Sequence, residues 1–354
     1  MRKSPAYSVF LLSLITIISS CARQAYELQT VCEVNDVYNY VVKWDIRPLP
    51  EGKVEIFSSG TPSYFDLRYP VAVEDVAKGR ADMMIKGSLN RRYFLLKFGD
   101  HTETVVGVRA QRLGREVENF RDMGGFKNAD HQSIKWGELY RSGNLDKIDP
   151  AHAKRIEKMG IKTLIDLRMT PEIDSISPET GIVNYFHFPV STKKADPLPL
   201  IRSNKFKRGD AAIFMQDVNK EMILNSTESL RNMFEVLSKD DNYPVVICCR
   251  YGTIQTSIAI ALILSALDVP EQTIIDDYLL NNKYFNMRKI AAIGKQLPLE
   301  AQDAITTMMI SDENYLMAAL DAVKRKYGSV NQYLKKELGV DEECRRQLKH
   351  ILLE

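Results

Sequence analysis

Residues 244–256 read Pro-Val-Val-Ile-Cys-Cys-Arg-Tyr-Gly-Thr-Ile-Gln-Thr, and the rest of the chain is organised around this stretch. The apolar run Val245–Ile247 predicts a buried strand, and the glycine after it predicts a tight turn. Residues 256–264 are apolar on nearly every face, which predicts a buried helix. A strand, a loop and a helix N-terminus in this order bind anions, because converging N–H groups and the helix dipole favour negative charge. Cys249 ends the strand, where a thiolate can act as a nucleophile on a phosphate ester.

The segment resembles the signature loop of cysteine-dependent tyrosine phosphatases. It is most similar to a bacterial branch with His-Cys-x-x-Gly-Lys-Asp-Arg-Thr-Gly, which includes tyrosine, dual-specificity and lipid phosphatases. The resemblance implies that Cys249 is the catalytic nucleophile and that the Thr256 hydroxyl bonds its thiolate. It assigns phosphate binding to the residues of the loop, which are Arg250, Tyr251, Gly252, Thr253, Ile254, Gln255 and Thr256.

Several positions depart from the family pattern. Thr253, Ile254 and Gln255 stand where the family has lysine, aspartate and arginine, and Cys248 replaces the histidine. The family's arginine grips two phosphate oxygens through a charged planar fork, whereas Gln255 is neutral. One lost oxyanion donor costs about 10²–10³ in rate, and a catalytic arginine is worth about 10³–10⁵. We therefore expect a loop that binds anions while hydrolysis is weak or lost.

Alternatives stay open at three positions. Cys249 is either the nucleophile or a small buried hydrophobic residue. Arg250 is a candidate to replace part of the lost charge, although side chains at this position in such loops tend to point outward. Asp166 lies near the end of the predicted strand at 162–168 and matches the family's Asp-Leu-Arg segment, so it is a candidate for a catalytic acid. Alternatively, Asp166 and Arg168 pair and brace neighbouring loops.

Residues 113–354 are expected to form an α/β domain, a tyrosine-phosphatase-like sheet flanked by helices. Besides the loop, Asn-Phe-Arg-Asp-Met-Gly-Gly at 119–125 and Leu-Tyr-Arg-Ser-Gly at 139–143 resemble the family's motifs, as does the segment at 276–282. Residues 191–219 are expected to be a long connection that carries a run of lysines. This run either gathers an anionic ligand or is a solvated mobile loop.

The first twenty residues predict a signal peptide. Arg2 and Lys3 precede an apolar core at 9–18 that is too short to span a membrane. Residues 18–21 resemble a bacterial lipobox, which implies that Cys21 carries lipid; a simple secretory signal cut nearby is the alternative. The expected location is the cell envelope, as a membrane-anchored lipoprotein that is periplasmic or surface-exposed.

Residues 21–112 predict a small all-β domain that precedes the α/β domain. Short runs rich in β-branched and aromatic residues alternate with turn signals, as in a β-sandwich. The segment is faintly similar to immunoglobulin or fibronectin modules, with Trp44 as a core anchor. No residue in it carries recognisable chemistry.

Composition and net charge limit the classes of molecule that this chain is expected to bind. The chain of 354 residues has 48 Lys and Arg against 46 Asp and Glu, and this net charge of +2 does not suggest nucleic-acid binding. No metal-ligand cluster is evident, and no cofactor is expected. The expected partner is a phosphorylated protein, a phospholipid or another anionic ligand, with a membrane contact through the lipid anchor. The three candidate functions are an impaired phosphatase, an active phosphomonoesterase acting through a Cys249 phosphocysteine, and a non-catalytic envelope interaction module.

Overall fold

A computed structural model describes residues 26–35, 39–85, 92–110, 113–114, 116–169, 178–203, 205–287, 295 and 297–354. The predicted signal peptide and the lipidation candidate Cys21 lie outside these residues. Within them, every helix is too short or too polar to cross a membrane.

The N-terminal part is a β-sandwich of two antiparallel sheets, with strand orders β1-β2-β5 and β4-β3-β6-β7. The strands are β1 (Glu27–Val34), β2 (Tyr40–Arg47), β3 (Lys53–Ser59), β4 (Ala72–Asp75), β5 (Arg80–Met83), β6 (Tyr93–Phe98) and β7 (Thr102–Gly107). The two sheets share one apolar core. This architecture confirms the prediction of a small all-β domain.

Strand β2 shows why this sequence forms a half-buried sheet. From Val42 onward, buried apolar residues alternate with exposed charged ones, as the period of two in a strand requires. Trp44 lies in the shared core, and its indole Nε1 donates a hydrogen bond to the carbonyl oxygen of Val76 at 2.8 Å. The buried indole therefore has a partner for its one polar atom.

The C-terminal part is built on a second sheet with the strand order β11-β10-β12-β9-β8. Its strands are β8 (Arg121–Asp122), β9 (Leu139–Ser142), β10 (Thr163–Asp166), β11 (Asn184–His187) and β12 (Val245–Cys248). Strands β9 to β12 are parallel, and β8 is antiparallel to β9. Ser142, Asp166 and Cys248 are in register, so the carboxyl ends of three strands meet at one edge. Ligand sites of open α/β sheets lie at such edges.

Helices cover both faces of this sheet. They are α1 (Pro150–Lys158), α2 (Leu198–Arg202), α3 (Arg208–Asn225), α4 (Thr227–Leu237), α5 (Ile254–Ala266), α6 (Glu271–Leu279) and α7 (Asn281–Tyr284), followed by Leu299–Met309, Glu313–Tyr327, Val330–Glu337 and Glu342–Leu352. Val246 of β12 packs in the core that contains α1, whereas Val245 and Ile247 pack in the core that contains α4 and α5. Because β12 is buried on both faces, its sequence is continuously apolar. The predicted sheet flanked by helices is confirmed.

The structure differs from the sequence-based expectations between residues 191 and 226. Much of the expected long connection is helical, because α2 and the start of α3 lie inside it. Helix α3 buries Ala211, Met215, Val218 and Met222 at helical spacing among charged residues. Ser226 stands at the N-cap position of α4, but its hydroxyl makes no capping bond and instead accepts a hydrogen bond from the N–H of Ser191 at 3.0 Å.

Trp136 joins the two parts of the chain. Its ring packs against Gly107 at the end of β7 and against Gly124 and Gly125 after β8. A Cβ atom built at any of these three glycines would lie within 2.8 Å of Trp136 atoms. Tyr93 of the β-sandwich meets the indole edge-on, with ring centroids 6.2 Å apart. The junction is therefore a packed indole rather than a loose linker.

Candidate functional site

The loop that follows β12 carries the candidate nucleophile. Cys249 comes directly after the strand and is buried, and α5 begins five residues later at Ile254. Gly252 makes this turn with φ at +66°, a backbone conformation that side chains other than glycine's rarely adopt. A Cβ atom there would lie 2.5 Å from the carbonyl carbon of Ser142. Only glycine lets the loop approach β9 this closely.

Several backbone donors of the loop are unused. In the described part of the chain, the N–H groups of Tyr251, Gly252 and Thr253 have no acceptor. The first-turn N–H groups of α5 also lack a partner within their own helix, as at any helix N-terminus. Converging unpaired N–H groups at the positive end of a helix dipole form a binding place for an oxyanion. The main chain of this loop is therefore a candidate oxyanion cradle.

Two side chains at the start of α5 complete this cradle. The Thr256 hydroxyl is fully buried and has no hydrogen-bond partner among the described residues. A buried hydroxyl without a partner is costly, unless a group such as a thiolate or a ligand accepts its hydrogen bond. Gln255 is half-buried, and its amide makes no hydrogen bond within the described residues. The amide head is therefore available to a ligand, although it carries no charge.

A buried polar network holds the loop from below. The amide Nδ2 of Asn119 and Nη2 of Arg141 donate hydrogen bonds to the carbonyl oxygen of Gly252 at 2.7 and 2.8 Å. Arg141 also donates to the hydroxyl of Ser257 at 2.6 Å. Asn281 accepts hydrogen bonds from both Asn119 and Arg141 and donates one to Ser257. These contacts fix the carbonyl of Gly252 and thereby the conformation of the loop.

The same network carries net positive charge. Arg121 and Arg141 are both fully buried and share one carboxylate, Asp277, at 3.2 and 2.6 Å. Burial alone would raise the pKa of Asp277, but the two guanidinium groups outweigh that effect and hold it below its ordinary value. Burial and the charge of Arg141 lower the pKa of Arg121 to about 9, so this guanidinium stays charged at neutral pH. Two cations and one anion therefore lie beneath the loop.

Asp166 lies at the carboxyl edge of the sheet but is fully engaged. Its carboxylate is buried and accepts hydrogen bonds from Nε and Nη2 of Arg168, the latter at 2.6 Å, and from the Tyr185 hydroxyl at 2.9 Å. Arg168 also pairs with Asp146. These contacts are those of the bracing alternative. A role for Asp166 as a catalytic acid stays a prediction.

The remaining residues of the segment differ in their surroundings. Arg250 is exposed, with its guanidinium carbon 5.6 Å from the centre of the Tyr251 ring. Tyr251 in turn packs edge-on against Phe285 at 5.4 Å between ring centroids. Burial raises the pKa of the Cys248 thiol well above its ordinary value, and the Asp166 carboxylate adds to this shift. A raised pKa disfavours the thiolate form of Cys248, and the thiolate is the nucleophilic form of a cysteine.

The residues of the supporting network had not been assigned roles from the sequence. Asn119, Arg121 and Arg141 lie in the two family-like motifs, and Asp277 and Asn281 lie in the third, but no spacing rule brings these segments together. One signal that could have identified such a residue is a charged side chain inside a predicted buried strand. Arg141 is an example, because every residue of its strand is buried. Buried charges are paired or hydrogen-bonded, so each such residue predicts a partner.

The arrangement suits thiol chemistry on a bound oxyanion and offers no obvious metal site. Among the described residues, no group of three or more His, Cys, Asp and Glu side chains is placed to hold a metal ion. Cys249 begins the loop that carries the unpaired N–H donors, and such donors suit a phosphoryl group under attack by a thiolate. Gln255 of this loop is neutral, so it cannot follow a developing charge as a guanidinium at that position would.

Comparisons with known proteins found similar sequences among phosphatases. A protein of Cupriavidus necator described as a tyrosine-protein phosphatase is 28% identical over 233 residues, which is 64% of this chain and 83% of its own. The triple specificity protein phosphatase PtpB of Mycobacterium tuberculosis is 24% identical over 272 residues, or 66% of this chain and 96% of its own. The citrate-bound catalytic core of the PP-IP phosphatase SIW14 from S. cerevisiae is 17% identical, with a TM-score of 0.27 over 56% of this chain and 90% of its own.

The model of the tyrosine phosphatase family matches residues 114–354, which is more than half of the chain and includes the whole Cys249 loop. The resemblance expected from the sequence motifs is thus confirmed, and the chain belongs to the tyrosine phosphatase family.

Proposed function

We propose that this chain binds a phosphorylated or other anionic ligand in the Cys249 loop and hydrolyses it slowly or not at all. The observation that carries the proposal is Gln255, a neutral side chain at the position of the family's arginine in a loop that is otherwise well supported. The ligand class is a phosphoprotein, a phospholipid headgroup or another phosphate ester. By its predicted leader and Cys21, the protein acts at the cell envelope as a lipid-anchored protein.

Two features support binding. The N–H groups of Tyr251, Gly252 and Thr253 are unpaired in the described part of the chain and directly precede the N-terminus of α5. Beneath them, the excess guanidinium charge of Arg121 and Arg141 over Asp277 lies in a buried setting, where charges act over longer distances than in water. Neither feature depends on an arginine in the loop itself.

Slow hydrolysis follows from what the loop lacks. During transfer, the thiolate of Cys249 attacks phosphorus while the bond to the ester oxygen breaks, and charge spreads over the three equatorial oxygens. Main-chain N–H groups can hold these oxygens, but the neutral amide of Gln255 does not strengthen its contact as the charge moves, and Arg250 is exposed. A loss of about 10³–10⁵ in turnover is the expected cost. A leaving alcohol also needs a proton, and Asp166 is occupied by Arg168 and Tyr185.

A second candidate is an active phosphomonoesterase. The family pattern favours it, because it assigns the Thr256 hydroxyl to the Cys249 thiolate, and in this structure the hydroxyl is buried and has no other partner among the described residues. In this mechanism, sulfur displaces the alcohol to form a phosphocysteine. Water then attacks phosphorus and releases phosphate and the thiolate, so that no oxidant or cofactor is consumed.

Turnover of an aryl phosphate separates the two candidates. We expect little hydrolysis by the wild type, and a gain of about 10²-fold or more for Gln255→Arg. Gln255→Lys is the matched control, because it restores the charge without the planar fork and should gain less. Rapid hydrolysis by the wild type that Cys249→Ala abolishes would refute impaired catalysis.

Calorimetric titration with inorganic phosphate tests binding separately. The wild type and Cys249→Ala should both release measurable heat, because the main-chain N–H groups are present in each. An absence of heat in both proteins, with the fold intact by circular dichroism, would contradict ligand binding and favour a non-catalytic envelope interaction module.

A further inference from the structure

A second charged feature lies outside the Cys249 loop, at the start of the helical segment between β11 and β12. Residues 197–208 read Pro-Leu-Pro-Leu-Ile-Arg-Ser-Asn-Lys-Phe-Lys-Arg, with four basic residues and no acidic one. The stretch contains α2 and ends where α3 begins. We call this stretch, together with Leu299 at the start of the helix Leu299–Met309, the basic corner.

Four apolar residues of the basic corner, Leu200, Ile201, Phe206 and Leu299, differ in which way they face. Ile201 and Phe206 point inward and pack with Ala301 and Ala304 in a small apolar cluster. Leu200 and Leu299 point outward, with exposed fractions of 48% and 78%. The inner group anchors α2 on the helix that follows, so the outer leucines are held on a packed surface. Their exposure costs solvation free energy that a partner could recover.

The exposed leucines lie beside the basic side chains. The N–H of Lys205 donates to the carbonyl oxygen of Leu200 at 2.9 Å, which folds the chain back so that both residues share one turn. The ammonium of Lys207 pairs with Glu300 at 3.4 Å, directly after Leu299 in the chain. Arg202 and Lys205 are exposed and have no carboxylate partner within the described residues.

We propose that the basic corner binds the surface of an anionic lipid membrane. Exposed leucines with lysine and arginine beside them match such a surface, because the apolar side chains enter the headgroup boundary while the cations meet lipid phosphates. A soluble phosphopeptide would use the cations but would leave the leucines in water. The proposal is independent of the Cys249 loop and of any lipid on Cys21, so it holds whether or not the loop hydrolyses its ligand.

Vesicle flotation of the chain from Ala22 onward tests the proposal, since this chain contains all described residues and lacks the leader and Cys21. We expect binding to phosphatidylcholine vesicles with added phosphatidylserine, and little binding to phosphatidylcholine alone. Arg202→Gln with Lys205→Gln should lower the partition coefficient by about tenfold or more, because each basic residue near such a surface contributes about a fivefold preference. Leu200→Ser with Leu299→Ser should also lower it.

The matched control is Lys335→Gln with Lys336→Gln, which removes the same charge from exposed positions on a different helix. Its partition coefficient should stay within about twofold of wild type, as should phosphate binding in all variants. Equal losses in the control and in the Arg202 and Lys205 variant would overturn the proposal. So would an absence of vesicle binding by a folded wild type, or a Leu200 and Leu299 variant that binds normally. A third outcome is that the wild type binds a phosphotyrosyl peptide but no vesicles, and that the Arg202 and Lys205 variant loses the peptide. This outcome would assign the two cations to a peptide instead of a membrane.

Discussion

Replacing Gly252 by alanine should destroy the anion cradle, and the structure gives the size of the effect. The residue has φ at +66°, which costs alanine about 1–2 kcal/mol. The new Cβ would also lie 2.5 Å from the carbonyl carbon of Ser142 and 2.6 Å from the nitrogen of Gly143. These are backbone atoms that cannot rotate away, so overpacking adds about 1–3 kcal/mol. Together the two terms predict a loss of about 2–5 kcal/mol in the free energy of unfolding.

Gly160→Ala is the matched control, because Gly160 has φ at +70° and no atom within 4 Å of an added Cβ. It should lose only the backbone term, about 1–2 kcal/mol, and keep its affinity for phosphate. Urea denaturation measures the first quantity, and calorimetric phosphate titration measures the second. Equal destabilisation of the two variants, with phosphate affinity intact in Gly252→Ala, would refute the close approach of the loop to β9.

Other substitutions test the buried charges and the junction. Asp277→Asn leaves the buried guanidinium of Arg121 without its carboxylate, so the free energy of unfolding measured in urea should fall by about 3–5 kcal/mol; a change below about 1 kcal/mol would contradict the shared ion pair. Because the folded protein holds the pKa of Asp277 below its ordinary value, its contribution is present above about pH 4 and is lost as the pH falls through the folded pKa. Urea midpoints should therefore drop more steeply below about pH 4 in wild type than in Asp277→Asn, and parallel curves would argue against this linkage. Asp166→Asn removes the charge that pairs with Arg168 and should lower the melting temperature, whereas an unchanged value would speak against bracing. Trp136→Ala should cost about 3–5 kcal/mol in urea, and a loss below about 1 kcal/mol would mean that the junction is not packed around the indole.

Much of the fold follows from local patterns. The continuous apolar run of β12 and the all-round apolar α5 predicted a strand and a helix buried inside an α/β domain, and both are where they were expected. The short runs rich in β-branched and aromatic residues likewise predicted the all-β part, to which β2 belongs. Helix α3 was not predicted, because charged residues interrupt its apolar stripe and leave little contrast between its two faces. A solvent-facing isoleucine, Ile213, further weakens the pattern.

The candidate site was predicted only where it is continuous in sequence. The Cys249 loop could be recognised because eight neighbouring residues carry it. The polar network beneath the loop could not be predicted in this way. Asn281 is more than a hundred residues away from both Asn119 and Arg141, and the three side chains meet only in the folded chain. The Asp166–Arg168 pair was one of two alternatives left open from the sequence, and the structure contains this contact, since an arginine two residues away can reach back. Tyr185 also donates a hydrogen bond to Asp166, and Arg168 also pairs with Asp146. These contacts join separate strands and loops, so the spacing of residues in the sequence does not predict them.

The glycine-lined seat of Trp136 has a practical consequence for dissecting the protein. Cutting the chain near residue 113 would remove Gly107 and Tyr93 from one side of the Trp136 indole. The ring would then be exposed to water. Truncated recombinant versions should therefore aggregate more readily than the intact polypeptide. Any activity lost on truncation would result from the disrupted junction and not from a missing ligand contact.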